Sequence, residues 1–582
     1  MNYLLITSIA FILVSYANFM TLIFRIRLNE TFLITICSII IFSYFLFNLD
    51  IYYNLLILDY FFLILLSSTF FLLPILIKNN SKINKNLNLE FLFLFFLIYI
   101  LSKERYYLDQ DEFSYWGLAL KNLILRVDGF NFVHHPDGLN LFRNLFTFFQ
   151  YNEGNIIFSN NIILISGFYY LFYDRKLIFF EKIILFSIYY LLLNNLSFGF
   201  LSIYSDPVLA VLYACLLKKS YFMFKDIDSP KEINLLFILF TLLLINRSAP
   251  IYAIFIFYFC LSLFFLNIYK RYKTGIGLFI VIFIISALVI YFYLFTFILN
   301  HKYILNFSSY LSIIFYTDLL TKQLIDFLFT PIYFSQFGTT INGIFEVIFS
   351  TSNKLFEFQI PLVAYILSLS LFMFFKFKHK RFIIISSTLI IIIYMIIILI
   401  LKIQIENLHL SAVPRYIGIM ILAKYLFLIS LIIFFNKSLK KYILLFLLFS
   451  LFLITPKKTL GFFVSDEIYY SNLFNYDFKK NREKISVLGE LKNDFDEVIV
   501  IHKKNYSDKT NISVAGYHTF YHNIIEYELF PKKTNFIEYE KFLKNEKTLL
   551  TKKNSLIILF DLTTMEISKI DNSNKFFKIN TY

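Results

Sequence analysis

Long apolar runs alternate with short polar segments along most of the chain. A helix that crosses a bilayer needs about 20 mostly apolar residues. We therefore predict a polytopic α-helical membrane protein with about fourteen spanning helices, approximately at 3–24, 32–49, 55–77, 88–102, 155–173, 177–195, 207–224, 233–246, 250–269, 276–299, 358–375, 382–401, 416–435 and 442–455. The first run lacks a basic start and has a long apolar core, which favours a spanning helix over a cleaved signal peptide.

Basic residues concentrate in every second loop. Lys and Arg crowd 25–27, 78–85, 175–176, 218–231, 270–273, 376–381 and 437–441, whereas the intervening short loops at 49–54 and 196–206 contain none. Because Lys and Arg are enriched in cytoplasmic loops, both termini are predicted to lie outside the cytoplasm. We predict a multi-pass protein of the inner (plasma) membrane with its functional side extracytoplasmic.

This topology divides the chain into four parts. Residues 1–102 are the N-terminal transmembrane helices, 103–154 an outer loop, and 155–455 a transmembrane core that includes a second large outer loop at 300–357. The tail at 456–582 is predicted to be a small extracytoplasmic α/β domain. Its apolar runs 497–501 and 555–560 are typical of buried strands, and 535–547 is predicted to be helical.

Composition excludes several classes of protein. Charged residues make up 16% of the chain and the mean hydropathy is +0.69, whereas a soluble protein has roughly 25% charged residues. The net charge of +15 arises mainly in the loops between apolar runs, so we predict no nucleic-acid partner. All three cysteines lie inside apolar runs, which indicates neither a disulfide framework nor a thiolate metal site.

An acidic cluster opens the first outer loop. Asp109, Asp111 and Glu112 precede Tyr115 in a stretch that turns helical. Desolvation beside a membrane raises the pKa of a carboxyl group, which suits a general base, and two carboxylates can hold a divalent cation. The alternative is a solvated loop with an ordinary helix cap.

Histidines and a lone acid also fall on the predicted outer side. His134 and His135 can bind phosphate or a leaving group, although the following Pro-Asp-Gly favours a simple turn. Asp206 is the sole charge in its loop and precedes a proline, so it is a candidate site residue or a helix cap.

Two arginines stand in loops otherwise poor in basic residues. Arg247 and Arg415 each lie at a predicted outer end of a spanning helix. A guanidinium can donate to two phosphate oxygens and stays charged near a membrane, although snorkelling to lipid headgroups would explain either residue. Acids, histidines and arginines on one predicted face indicate a site for a phosphate-bearing lipid.

These motifs together resemble the GT-C superfamily of integral-membrane glycosyltransferases of the bacterial envelope type. The resemblance rests on Asp111-Glu112-x-x-Tyr115, Tyr204-Ser205-Asp206-Pro207, Arg415-Tyr416 and the tail segment 526–531 (EYELFP). It covers most of the chain in architecture and about twenty residues in motif. Two features depart from the family pattern: four spans precede the acidic motif, and Arg247 stands where a lysine is usual.

The resemblance implies transfer of a sugar from a polyprenyl-phosphate carrier to an envelope glycan, lipid or protein acceptor. Asp111, Glu112 and Asp206 would be catalytic, with Asp111 as the base and, in a metal-dependent version, Asp111 and Asp206 as ligands of Mg²⁺ or Mn²⁺. The substrates and membrane lipids would contact a further group: Asp109, Tyr115, His134, His135, Arg247, Arg415 and Tyr416. An O-antigen-type polymerase or ligase and a lipid-linked sugar transporter or flippase are the alternatives.

Overall fold

The computed structural model of the 582-residue chain describes residues 2–53, 57–79, 81, 83–107, 112–125, 138–173, 177, 179–194, 200, 202–224, 233–245, 413–435, 485–491, 495, 497–503, 524–539, 541–542, 544, 555–561, 566–570 and 576–578. They belong to two compact units. Unit 1 draws on 1–105 and 134–459, and unit 2 on 106–133 and 460–582. The first segment of the predicted outer loop therefore groups with the tail.

Helices joined by short non-helical segments make up the described part of unit 1. They are α1 (Asn2–Phe24), α2 (Leu28–Tyr53), α3 (Ile57–Lys78), α4 (Lys85–Ser102), α6 (Gly138–Asn144) followed by a 3₁₀ turn (Leu145–Thr147), α7 (Glu153–Phe172), α8 (Phe179–Asn194), α9 (Ser205–Phe224), α10 (Ile233–Ile245) and α11 (Val413–Phe435). Unit 2 begins with a π-helical turn (Glu112–Gly117) that continues as α5 (Leu118–Leu125).

Five segments among the described residues are long and apolar enough to cross a membrane: Asn2–Phe24, Leu28–Phe47, Tyr60–Lys78, Lys85–Ser102 and Glu153–Phe172. This confirms a largely helical protein of membrane type. Every predicted span that falls on described residues is helical. The spans predicted at 250–269, 276–299, 358–375, 382–401 and 442–455 lie outside the described residues, as does the loop 300–357, so the total of about fourteen stays a prediction.

At one end of the bundle, lysine side chains contact a glutamate or a backbone carbonyl of a neighbouring helix. Glu30 at the start of α2 accepts from Lys219 near the end of α9, with Nζ and Oε2 3.3 Å apart. Lys182 at the start of α8 pairs with Glu90 of α4 at 2.8 Å. Lys218 donates to the carbonyl of Tyr170 at the end of α7 at 2.9 Å. We call this the basic end.

The opposite end, which we call the loop end, is marked by a second set of contacts. Lys103, just after α4, donates to the hydroxyl of Tyr3 in α1 at 3.3 Å. Asn161 of α7 donates to Ser102 at 2.9 Å. Asn160 of α7 donates to the carbonyl of Tyr204, just before α9, at 3.1 Å. Helices α1, α7 and α9 therefore start at the loop end, whereas α2, α4 and α8 start at the basic end, in the alternation that the loop charges predict.

Part of the predicted outer loop is buried inside unit 1. Residues 138–143 of α6 are buried, and a Cβ at Gly138 would lie 3.1 Å from Ile40 of α2 and 3.2 Å from Leu244 of α10. The loop therefore re-enters the bundle between α2 and α10 at the loop end. A short helix is tolerated there because protein, rather than lipid, surrounds its polar groups.

The tail contributes a five-stranded sheet to unit 2. Its strands are β1 (Glu497–Lys503), β2 (Lys533–Glu538), β3 (Ser555–Asp561), β4 (Glu566–Ile570) and β5 (Phe576–Lys578), and a short helix α12 (Leu488–Leu491) precedes them. The order is β2-β1-β3-β4-β5, with β1 parallel to both neighbours and the remaining pairs antiparallel. The predicted strands at 497–501 and 555–560 are confirmed.

The predicted helix at 535–547 is wrong over its first residues. Residues 533–538 form β2, in which Asn535 lies opposite Ile499 of β1, and the Asn535 side chain donates to Glu497. Ladder hydrogen bonds and packing against β1 outweigh the local helix preference, as is usual for a segment beside a buried central strand. Helical residues appear only from Tyr539 onward.

Candidate functional site

Asp206 lies at the loop end, in the first turn of α9, where the chain enters the bundle after an irregular segment. It is 3% exposed, and Pro207 follows it in a position where a helix needs no backbone donor. The free N–H groups of a first turn favour negative charge. The predicted acid is therefore a buried helix-start carboxylate rather than a solvated loop residue.

Two side chains hold the backbone that leads to Asp206. Arg143 of α6 donates from Nη2 to the carbonyl of Ile203. Asn160 of α7 donates from Nδ2 to the carbonyls of Ser202 and Tyr204, at 3.3 and 3.1 Å. Three consecutive carbonyls are thus bound by two buried side chains, which fixes the approach to α9.

The same two side chains bind each other. The guanidinium of Arg143 donates to Asn160 Oδ1 from Nη2 at 3.1 Å and from Nε at 3.3 Å, and from Nη1 to Asn140 Oδ1 at 2.6 Å. Arg143 is fully buried at 0% exposure. A permanently charged guanidinium and the Asp206 carboxylate are therefore built into one region of the apolar bundle.

Further polar groups lie nearby on α7 and have no hydrogen-bond partner in the structure. Asn155 is buried with both Oδ1 and Nδ2 unpaired, and Asn161 has an unpaired Oδ1 beside its bond to Ser102. Buried polar atoms of native proteins nearly always have a partner, including water or a ligand. The loop end of α7 therefore offers hydrogen-bonding capacity inside the bundle.

Arg415 and Tyr416 lie in the first turn of α11. Helices α9 and α11 pack along each other, and rings from the later turns of both meet, with centroids 6.4 Å apart for Tyr221 and Phe427 and 4.8 Å apart for Phe222 and Phe434. The two helices therefore run in the same direction. Their first turns, which carry Asp206 and Arg415, lie toward the same end of unit 1.

Glu112 and Tyr115 belong to unit 2, in the π-helical turn Glu112–Gly117. The helical stretch predicted after Asp111 is thus confirmed. The remaining predicted site residues, Asp109, Asp111, His134, His135 and Arg247, lie outside the described residues. The structure places Asp206 and the start of α11 toward the same end of unit 1, and the predicted site as a whole stays a prediction.

The described residues contain no group of three or more His, Cys, Asp or Glu side chains that could hold a metal ion. Of the two predicted metal ligands, Asp206 is described and Asp111 is not. A metal held by both carboxylates therefore stays a prediction.

Three residues that the sequence reasoning passed over matter here. Arg143 and Asn160 sit in segments that look like a loop and an ordinary apolar helix, and the weak signal for them is a polar side chain beside or within an apolar run. Lys424 stands midway along α11 and is 2% exposed. A lysine inside a predicted span was the clearest available signal of the three.

Comparisons with known proteins identify no relative: no family model, no curated protein and no solved structure matches the chain.

Proposed function

We propose that this protein is a membrane glycosyltransferase that moves a sugar from a polyprenyl-phosphate carrier to an envelope glycan, lipid or protein acceptor on the outer face of the membrane. The observation that carries the proposal is the buried carboxylate of Asp206 at the loop end, with its approach held by Arg143 and Asn160. A rigid acid beside fixed polar groups suits a reaction that moves one proton and releases one anion.

The proposed step is attack of an acceptor hydroxyl on the anomeric carbon of the carrier-linked sugar. The new bond joins the acceptor oxygen to that carbon, while the bond from the carbon to the phosphate oxygen breaks. Asp111 takes the hydroxyl proton with Glu112 beside it, and Asp206 assists in orienting the acceptor. The released phosphate leaves with the electron pair and is neutralised by Arg415 or Arg247.

The test compares the product made by the wild type with that made by Asp206→Asn, an exchange of similar size that removes the charge. A strain lacking the gene is complemented with each form, membrane levels are matched, and envelope glycans are measured by mass spectrometry. We expect the sugar to return with the wild type and to fall by about 100-fold or more with Asp206→Asn. Asp111→Asn should behave likewise. Unchanged product with both variants would refute the proposal.

A lipid-linked sugar transporter is the second candidate, because Lys424 places a buried charge midway along α11 and transporters carry such groups near the membrane midplane. A donor with a short polyprenyl chain, supplied from outside to spheroplasts of the deletion strain, separates the two. It would restore the product if the missing protein were a transporter. It would leave the product absent if the missing protein were the transferase.

A further inference from the structure

Tyr527 of the tail contacts the segment that carries Glu112. Tyr107, Phe113 and Tyr527 form a buried ring cluster, with centroids 5.8 Å apart for Tyr107 and Tyr527, 5.5 Å for Phe113 and Tyr527, and 6.0 Å for Tyr107 and Phe113. Tyr107 lies before the acidic cluster and Phe113 directly after Glu112. The ring of Tyr527 therefore contacts the chain on both sides of the cluster.

A lysine adds a second attachment to the same residue. Lys121 of α5 donates from Nζ to the carbonyl oxygen of Tyr527 at 2.6 Å, and the ammonium lies 3.4 Å from the centroid of its ring. The carbonyl belongs to a helical turn at 524–529, whose last carbonyls need donors and favour a cation. An ammonium over a ring adds cation–π attraction, which is strongest where water is excluded.

We propose that Tyr527 and Lys121 are positioning residues that hold the π-helical turn Glu112–Gly117 in its working geometry, so that the tail supports the turn that carries Glu112. This inference rests on the proposed function, since it deepens the role of Asp111 and Glu112. A general base must lie within hydrogen-bond reach of the proton it takes, and a displacement of about 1 Å costs about 100-fold in rate. Two flanking contacts to one buried ring restrain such a displacement.

The chain carries its own reporter of this geometry. Trp116 is the sole tryptophan of the protein, lies in the π-helical turn three residues after Phe113 and is 5% exposed. Its emission can be excited selectively in spite of the many tyrosines. A displaced π-helical turn would expose the indole, which would move its emission to longer wavelength and allow iodide to quench it.

The experiment uses the full-length protein in lipid nanodiscs. Tyr527→Ala should shift Trp116 emission to longer wavelength and lower kcat for sugar transfer by about 100-fold, with KM nearly unchanged. Tyr527→Phe, which keeps the ring and the backbone carbonyl, should restore both readouts. Lys121→Met leaves the ring cluster in place and tests the second attachment even if Tyr527→Ala does not fold; a loss of about 10-fold or more is expected.

The matched control is Ile499→Val, which trims the core of the tail sheet formed by Ile499, Ile501, Phe542 and Ile557 without touching the ring cluster. It should leave Trp116 emission and kcat at the wild-type level. Wild-type emission and rate in both Tyr527→Ala and Lys121→Met would overturn the positioning role. If the wild type transfers no sugar while the emission shifts occur as expected, the proposed function fails and the positioning role stands.

Discussion

At the scale of single residues, the buried guanidinium of Arg143 binds several polar groups of the loop end. Removing such a charge from water costs several kcal/mol unless hydrogen bonds replace the solvent. Arg143 donates such bonds to two asparagine side chains and to the carbonyl of Ile203. Because arginine cannot lose its proton in a protein, the positive charge persists at every physiological pH. The bundle therefore maintains a fixed cation beside the irregular backbone that precedes Asp206.

Glu526 of the tail makes the free energy of unfolding depend on pH. Desolvation raises the pKa of Glu526 above its ordinary value of about 4.5, although much of the side chain stays exposed. The folded state then binds more protons than the unfolded state between the two pKa values, so stability falls as pH rises through that window and stays lower above it. We expect Glu526→Gln to raise the thermal midpoint of the Trp116 fluorescence transition at about pH 7.

The gain from Glu526→Gln should vanish below the ordinary glutamate pKa, where both states are protonated. Glu104→Gln, which changes an exposed glutamate of unit 1, is the control and should leave the Trp116 transition unchanged at either pH. A lower midpoint for Glu526→Gln near neutral pH would mean that the charged form is favoured by folding, contrary to the direction stated above.

At the scale of elements, the crossing of α4 and α7 at the loop end depends on a glycine. A Cβ at Gly154 would lie 2.5 Å from the carbonyl oxygen of Lys103 and 2.6 Å from that of Ser102. Both are backbone atoms, so a helix must shift. Gly154→Ala should therefore destabilise unit 1 by about 1–3 kcal/mol, the usual cost of overpacking, even though alanine is the better helix former.

Gly489→Ala is the matched exchange, since the nearest atoms to its Cβ lie 3.6 Å away. It should be neutral or slightly stabilising. Thermal denaturation of the full-length protein in nanodiscs, followed by loss of soluble material, measures both variants. Equal midpoints for Gly154→Ala and the wild type would show that α4 and α7 can separate without cost.

Elements also show where the sequence suffices. Apolar runs predict the long helices because an amide in lipid has no partner other than its own helix, and β-branched runs predict β1 and β3. The burial of α6 was not predictable, since its seven residues resemble a polar loop and depend on the space between α2 and α10. Residues 535–538 were mistaken for helix because their partner β1 lies more than thirty residues away in the chain.

The same distinction holds for the candidate site. Asp206 and Arg415 could be proposed from the sequence because acids and arginines in base-poor loops stand out in it. Arg143, Asn160 and Tyr527 act through contacts that join distant segments, such as the pairing of Lys121 with a residue of the tail. Local composition does not indicate such contacts. A sequence therefore identifies charged groups more readily than it identifies the residues that position them.

At the scale of the whole molecule, the two ends of the bundle must face different compartments. Side-chain contacts gather Glu30, Lys182 and Lys219 at the basic end and Lys103 and Tyr3 at the loop end. If the basic end is cytoplasmic, the site at the loop end faces a compartment without nucleotide sugars. A lipid-linked donor is then required, so the chemistry of the proposed function depends on the orientation.

Cysteine labelling measures that orientation directly. In a background with Cys37, Cys215 and Cys260 replaced by serine, Glu104→Cys places a thiol at the exposed loop end and Lys85→Cys places one at the exposed basic end. A membrane-impermeant maleimide should label Glu104→Cys in intact spheroplasts and Lys85→Cys only after permeabilisation. Loss of the exposed Lys103–Glu104 pair costs little, so folding is preserved. The reverse labelling pattern would place Asp206 on the cytoplasmic side and remove the reason for a polyprenyl-phosphate donor.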